Sequence, residues 1–493
     1  MIHVTKVDEC YLHIKTDPST AQEINDYFTF DVPGARFMPL YKNRMWDGKA
    51  RLFNMYKSSL YVGLLSYLEE FANTLEYPLT KDIEEIGDPV SMSYMNKFTK
   101  ELNLQSNGKS IEARDYQINA ITTAVNRGRC LLVSPTASGK SLIIYSLVRY
   151  HSNLGRKQLI IVPTTSLVEQ MYGDFQDYAS ADSWKASEQC HRIYGGKEKS
   201  NDFPVTISTW QSIYKFPKSW FEKFDVVYGD EAHQFKAKSL TSILDKCTTT
   251  PYRIGTTGTL DGTKTHKLVL EGIFGEVKNV ITTKKLMDTD QVATLKIIGM
   301  ILEYSDADRQ LVKKMNYAEE MDWLVTNPVR NTLLRNLTIS QTGNTLVLFQ
   351  YVEKHGKVLY KMIKEKVAEG RKVFFVFGGT DTEHREEIRR LTEEENDCII
   401  VASYGTFSTG INIRNLHNIV FASPSKSRIR NLQSIGRGLR KGDNKTSCNL
   451  FDVGDDLMWK SKKNYTLGHM VERIKIYNEE KFNYKLVRIK VDG

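Results

Sequence analysis

Cys130-Leu-Leu-Val-Ser-Pro-Thr-Ala-Ser-Gly-Lys-Ser-Leu-Ile-Ile-Tyr-Ser-Leu-Val-Arg-Tyr150 decides the fold. It opens with an apolar run of strand length, Cys130 to Val133, and closes with an apolar helix-like segment, Leu142 to Tyr150. Between them lies a turn of small residues ending in Gly139-Lys140-Ser141. Strand, small-residue turn and helix together form the opening unit of an α/β fold built on a parallel sheet. Such a turn also suits phosphate. The backbone N–H groups of Thr136, Ala137, Ser138 and Gly139, with the N-terminus of the following helix, present partial positive charge to anionic oxygens. Lys140 would neutralise the β and γ phosphates of a nucleotide, and the Ser141 hydroxyl would ligate Mg²⁺. Ser134 stands where such loops ordinarily begin with Gly.

Outward from this stretch the rhythm repeats. The spacing predicts strands at Cys130 to Val133, Gln158 to Val162, Val205 to Ser208, Asp225 to Tyr228 and Tyr252 to Gly255 in one sheet. A second set follows at Thr345 to Gln350, Lys372 to Phe377, Asp397 to Ala402 and Asn418 to Phe421. Nearly continuous apolar runs belong to strands covered by helices on both faces. Motifs just after them lie at the sheet's carboxyl edge, where open α/β sheets bind ligands. The expected fold class is therefore α/β, with two tandem parallel-sheet domains at 106–285 and 286–455. Residues 1–105 lack the rhythm and are expected to form a small N-terminal α+β domain, an accessory to the two sheets. Residues 456–493 are a short C-terminal extension, where Leu467, Met470, Val471, Ile474 and Tyr477 recur at helical spacing and Tyr484 to Val491 suggests a strand.

The totals agree. A chain of 493 residues suggests about three domains of common size. With 41% apolar and 26% charged residues it has a soluble globular balance. No run approaches the length of a membrane span, and Met1 to Cys10 carries charges where a signal peptide needs apolar residues, so a cytoplasmic location without a membrane partner is expected. The cysteines (Cys10, Cys130, Cys190, Cys247, Cys398, Cys448) lie far apart without a CxxC pair, which predicts free buried thiols and no structural zinc. A net charge of +9 favours a polyanionic partner.

Asp225-Val-Val-Tyr-Gly-Asp-Glu-Ala-His233 is an apolar strand ending in adjacent carboxylates. Alone, such a pair more often caps a helix or faces solvent. With the phosphate loop ahead of it, Asp230 is expected to hold Mg²⁺ and Glu231 to orient and deprotonate the attacking water. Gln433-Ser-Ile-Gly-Arg-Gly-Leu-Arg440 places Arg437 and Arg440 three apart on one helix face, which suits guanidinium fingers for the transferring phosphoryl group.

These motifs in this order, with Asp230-Glu-Ala-His233 in its DEAH form, resemble the superfamily 2 helicases. The resemblance covers residues 110 to 455 and implies RecA-like domains, with ATP and Mg²⁺ as cofactors. It also implies roles for further positions. Arg114-Asp-Tyr-Gln117 looks like the adenine-reading Q motif, with Arg114 and Gln117 as base contacts. Pro163-Thr-Thr165 and Ser208-Thr-Trp-Gln211 are similar to motifs that track nucleic-acid backbone, through Pro163, Thr164, Thr209 and Trp210; Ser403 joins them from the second domain. Read as isolated strings, the same residues are helix caps. Thr257-Gly-Thr259 resembles the motif coupling hydrolysis to domain movement. Ser408-Thr-Gly-Ile-Asn412 resembles the ribose motif, with Gly410 and Asn412 beside the nucleotide and Asn412 where many relatives carry Asp. The resemblance sets Lys140 and Asp230 on one wall of a cleft and Arg437 and Arg440 on the other.

A narrower likeness includes Arg36-Phe-Met-Pro39, Met45-Trp-Asp-Gly-Lys-Ala-Arg-Leu-Phe53 and Glu480-Lys-Phe-Asn-Tyr484. These strings resemble the UvsW family of phage recombination and repair helicases. That family implies unwinding and branch migration of forks, Holliday junctions and R-loops in phage recombination, replication and repair. The implied partner is branched or duplex DNA, with RNA met in R-loops, and the implied place is the bacterial cytoplasm; a monomer is favoured.

Between Arg36 and Lys57, cations alternate with rings, and Arg44, Trp46, Lys49 and Arg51 are the expected DNA contacts. Equally, Trp46 and Phe53 fit the core of the small domain. Lys426, Arg428 and Arg430 either line the same track or lead into the finger helix, and the basic tail from Lys460 onward is either a backbone contact or a solvated surface. The motifs leave open an RNA helicase, a nucleic-acid-binding scaffold with a decayed ATPase, and a restriction-enzyme motor subunit without a recognisable nuclease cluster.

Overall fold

The computed structural model describes residues 1–491 apart from 85, 196–201, 236–237, 411–412, 414 and 442–444, with the backbone alone described at 238–239, 382 and 408–410. Two compact units emerge, Met1–Ser134 with Gly139–Ile281, and Pro135–Ser138 with Thr282–Gly493.

The first unit begins with a four-stranded sheet of β1 (Ile2–Lys6), β2 (Tyr11–Lys15), β3 (Ser59–Tyr61) and β4 (Leu79–Asp82), in the order β3-β2-β1-β4. Its apolar inner face carries Ile2, Val4, Leu12 and Leu60, joined by Phe28, Phe53 and Leu68, and Leu268 of the helix Lys264–Phe274 closes this core. Polar contacts reinforce the junction: Arg129 pairs with Glu9 at 2.7 Å, and the Tyr67 hydroxyl donates to Glu271 at 2.7 Å. A Cβ at Gly63 would sit 1.9 Å from the Glu271 carbonyl oxygen, so this close approach needs glycine. The N-terminal segment is thus packed into the first unit.

Seven parallel strands follow: β5 (Arg129–Val133), β6 (Gln158–Val162), β7 (Cys190–Ile193), β8 (Val205–Thr209), β9 (Val226–Asp230), β10 (Tyr252–Thr257) and β11 (Val277–Asn279), ordered β7-β8-β6-β9-β10-β5-β11. The second unit holds another seven: β12 (Thr294–Glu303), β13 (Thr345–Phe349), β14 (Val373–Val376), β15 (Ile399–Ser403), β16 (Asn418–Phe421), β17 (Ser447–Asp456) and β18 (Tyr484–Lys490). Their order, β14-β15-β13-β16-β17-β12-β18, repeats the first position for position, and all pairs are parallel.

All nine strands expected from apolar runs are present, shifted by at most two residues at an end. Four others, β7, β11, β12 and β17, were not anticipated. The strand suggested at the C-terminus is β18, which completes the second sheet beside β12. The helix suggested there spans Tyr465–Glu479, but its buried face comprises Thr466, Met470, Arg473, Ile476 and Tyr477, with a fully buried arginine in place of an all-apolar stripe. All six cysteines are free and buried.

Candidate functional site

Strand β5 delivers the phosphate-loop sequence to the carboxyl edge of the first sheet, where the Ser134 N–H donates to Thr257 O at 2.8 Å. The turn needs left-handed backbone at Ala137 (φ 69°) and Gly139 (φ 82°). A Cβ at Gly139 would lie 2.2 Å from the Gln117 amide nitrogen. Glycine is therefore required there twice over, for its φ and for Gln117 to reach the loop. Gln117 is buried and fixed from behind, its Oε1 accepting the Arg114 N–H at 2.8 Å. The Arg114 guanidinium donates to the Tyr116 hydroxyl at 2.9 Å.

Lys140 opens the helix Lys140–Asn153, and its ammonium pairs with Glu231 Oε1 at 2.9 Å. Asp230 closes strand β9, buried, with Oδ1 accepting from the Thr256 hydroxyl at 2.8 Å. Burial pushes the Asp230 carboxyl above the usual range, although Lys140 opposes this. Burial would also raise Glu231, but Lys140 and then His233 outweigh it and hold that carboxyl well below the usual range. Glu231 itself has φ 50° and ψ 48°, a left-handed backbone rare for a residue with a side chain. His233 Nδ1 lies 3.3 Å from Glu231 Oε2 and 3.0 Å from the Thr257 hydroxyl, which in turn donates to Thr259 O at 3.0 Å. The acidic motif and Thr257-Gly-Thr259 thus form one continuous polar chain. His266, which the sequence did not single out, extends it through a 3.0 Å hydrogen bond to His233 O.

Ser141 and Asp230 offer a hydroxyl and a carboxylate, the hard oxygen donors that Mg²⁺ takes alongside water and phosphate. The Ser141 hydroxyl shares a 2.8 Å hydrogen bond with the Tyr178 hydroxyl, another partner without a sequence signal.

Four of the expected backbone-tracking residues, Pro163, Thr164, Thr209 and Trp210, close or follow β6 and β8 at the same edge. Val162 and Thr209 pair across β6 and β8, which sets Pro163 and Trp210 side by side, and the Gln211 amide donates to Pro163 O at 3.3 Å. Thr164 caps the helix Thr165–Tyr178. The Thr209 hydroxyl bonds Ser212 Oγ at 2.9 Å, and Trp210 packs partly into the core against Tyr214. In the second unit Ser403 closes β15 with its hydroxyl 2.8 Å from Thr406 Oγ1.

The QxxGRxxR string lies at the end of the helix Arg428–Gly438. Arg437 stacks over the Phe407 ring at 5.3 Å, and both Arg437 and Arg440 are half-buried. Arg428 does not face an open track; it pairs with Glu479 and, at 2.7 Å, with Glu480. Buried Lys445 donates to Gly438 O at 2.5 Å and Arg440 O at 2.9 Å, and burial pushes its ammonium down to about 8. Gly410 ends the helix Tyr404–Gly410, with its backbone alone described, and Asn412 lies outside the described residues.

In the segment 36–57 the two aromatic alternatives separate. Phe53 is core, 2% exposed, whereas Trp46 is half-buried and donates its indole N–H to Lys49 O at 2.9 Å. Arg51 is paired with Asp47 at 2.5 Å. Arg44 and Trp46 line a concavity of about 630 Å³ with Arg36, Tyr41, Lys42, Met45 and Asp47, and in the same segment Phe37 and Tyr56 stand 67% and 96% exposed.

Three family models match the chain: the amino-terminal model of the DNA helicase UvsW over residues 1–82, the res subunit of type III restriction enzymes over 110–262, and the helicase conserved C-terminal domain over 329–442. The ATP-dependent DNA helicase uvsW of Enterobacteria phage T4 is 36% identical over 97% of this chain and 97% of its own. The crystal structure of T4 UvsW covers all of both chains at 34% identity with a TM-score of 0.53. The type ISP restriction-modification enzyme LlaBIII bound to DNA aligns with 78% of this chain and 32% of its own at 16% identity and a TM-score of 0.57, a likeness of fold alone.

Proposed function

The chain belongs to the UvsW family of ATP-dependent DNA helicases, and we propose that it uses ATP to unwind and branch-migrate forks, Holliday junctions and R-loops in phage recombination, replication and repair. It is an ATP-dependent DNA helicase. The family favours DNA over the RNA substrate that the motor motifs leave open. No helix among the described residues is long and apolar enough to cross a membrane, and the host bacterial cytoplasm is the proposed place of action.

The ion pair between Lys140 and Glu231, beside buried Asp230, carries the catalytic reading. Lys140 is the cation for the β and γ phosphates, so ATP competes for it with Glu231. Once Lys140 turns to phosphate, one of the two partners that hold the Glu231 carboxyl down is withdrawn, leaving His233, and the carboxylate becomes a stronger base. Nucleotide binding thereby arms the group that orients and deprotonates the attacking water. Ser141 and Asp230 would hold Mg²⁺, which would supply charge neutralisation at the phosphates. Gln117 and Arg114 are assigned to the adenine, and Arg437 and Arg440 to charge developing on the phosphoryl group. Pro163, Thr164, Thr209, Trp210 and Ser403 are assigned to the nucleic-acid backbone. Arg44, Trp46, Lys49 and Arg51 are assigned to the branch point, with the ring of half-buried Trp46 available for stacking.

Two measurements test this. Lys140→Ala and Arg437→Ala should each abolish DNA-stimulated ATP hydrolysis while leaving circular dichroism unchanged; persistent turnover in purified Arg437→Ala protein would remove the finger assignment. Synthetic forks and four-way junctions should be unwound faster than a linear duplex of equal length, and equal rates would remove the preference for branched DNA.

A further inference from the structure

Two lysine-bearing turns about 150 residues apart in the second unit converge, the Lys462 ammonium donating to Lys313 O at 3.1 Å. Lys313-Lys314 leads into the helix Tyr317–Thr326, and Lys460-Ser-Lys-Lys463 leads into the helix Tyr465–Glu479. Lys460–Lys463 follows β17 at the carboxyl edge of the second sheet, and Lys313-Lys314, which ends the helix Asp306–Val312 after β12, is brought to it by that hydrogen bond. The first residue of each helix is a tyrosine. Tyr317 is 39% exposed and Tyr465 49%, their rings meet edge to face at 5.9 Å, and Tyr317 also lies 5.4 Å from the His469 ring. Burial, then Arg473 and Lys426, push His469 down to about 4, which leaves its ring neutral near pH 7.

The tyrosine rings are not what joins the helices. Beneath them the buried Glu320 carboxylate accepts the N–H groups of Tyr465 and Thr466 at 2.9 and 2.8 Å, and the Asn464 amide at 2.9 Å. The charges around the rings are one-sided. Among the described residues, Lys313, Lys314, Lys426, Lys460, Lys462 and Lys463 have no carboxylate within ion-pairing distance. Nearby acids are engaged elsewhere, Glu319 with the Asn316 N–H and Glu472 with Lys475.

We propose that this surface binds an unpaired strand of nucleic acid, its phosphates on the lysines and its bases stacked on Tyr317 and Tyr465. The proposal rests on the helicase reading and adds to it a single-strand site outside the loops assigned to the backbone track. Uncompensated ammonium groups favour a polyanion. Exposed rings favour bases free to stack over bases already stacked inside a duplex.

The test uses the full-length protein and a short oligodeoxythymidylate carrying 2-aminopurine. The pair Tyr317→Ala/Tyr465→Ala should weaken binding of this strand by at least about fivefold and abolish the change in 2-aminopurine fluorescence. Affinity for blunt duplex and the thermal midpoint should stay at wild-type values, and Tyr317→Phe/Tyr465→Phe should restore the optical signal. Lys462→Ala/Lys463→Ala should reduce the slope of log affinity against log salt by about 1.4. Wild-type binding by the alanine pair, equal loss on duplex and single strand, or loss in the lysine pair alone would each overturn the proposal, as would polyglutamate displacing the strand from the wild type at equal charge concentration. A wild-type protein whose ATPase no nucleic acid stimulates would instead overturn the helicase reading, whatever the variants do.

Discussion

Glu231 holds its left-handed backbone against a cost of about 1–3 kcal/mol, tolerable because Lys140 and His233 fix its carboxylate from two sides. Glu231→Gln preserves the volume and removes the base. ATP turnover should fall by about a hundredfold or more with the far-ultraviolet circular dichroism unchanged, and wild-type turnover would exclude Glu231 as the base. Residues of this kind were legible in the sequence. A lysine, a hydroxyl and carboxylates at fixed offsets from strand ends stand out by spacing, so Lys140, Ser141, Asp230 and Glu231 could be singled out as candidates, and the structure pairs Lys140 with Glu231. Tyr178 and Lys445 could not. Tyr178 reaches Ser141 across 37 positions, and Lys445 sits in a polar run that resembles solvated surface, although its ammonium is buried on two carbonyls at the end of the helix Arg428–Gly438.

Strand β17 shows where pattern reading fails at the level of an element. Ser447-Cys-Asn-Leu-Phe-Asp-Val-Gly-Asp-Asp456 carries three acids and looks like a loop, yet it lies inside the sheet between β16 and β12. Its carboxylates are neutralised by residues distant in sequence. Asp452 receives Arg473 at 2.7 Å and the Tyr477 hydroxyl at 2.8 Å, while Asp455 receives Arg330 at 2.8 Å and the Tyr304 hydroxyl at 2.8 Å. The strands that were legible, such as β6 and β13, are continuous apolar runs needing no distant partner. Arg473 also donates to Ser425 O at 2.9 Å, just ahead of the helix Arg428–Gly438. Arg473→Met should destabilise the second unit by about 3–5 kcal/mol, because it leaves Asp452 buried without its cation. The double variant Asp452→Leu/Arg473→Met should recover much of that loss in urea titrations, and simple addition of the two single effects would show that the pair is not coupled.

Across the molecule, the shared strand order shows one βα plan used twice, which the two sets of apolar runs had announced. Each unit also buries a histidine that stays neutral: His151 in the first and His355 in the second are both pushed down to about 3 by burial. In an unfolded chain an imidazole titrates near 6.5, so between that pH and 3 the unfolded state takes up a proton that the folded state refuses. Stability is therefore flat above pH 6.5 from this source and falls as the pH drops below it, by about 2 kcal/mol per histidine at pH 5. Urea midpoints at pH 7 and 5 should show the loss, and His151→Gln/His355→Gln should show less of it; an identical loss would assign the acid sensitivity to other groups. The last strand has a different kind of consequence. Strand β18 covers the backbone of Ile297–Glu303, and its own outer edge carries Lys485, Arg488 and Lys490, charges that discourage another strand from adding. Ending translation before Tyr484 would expose the more apolar β12 as a sticky margin, so the shortened protein should precipitate or form multimers on size-exclusion chromatography even with every helicase motif intact.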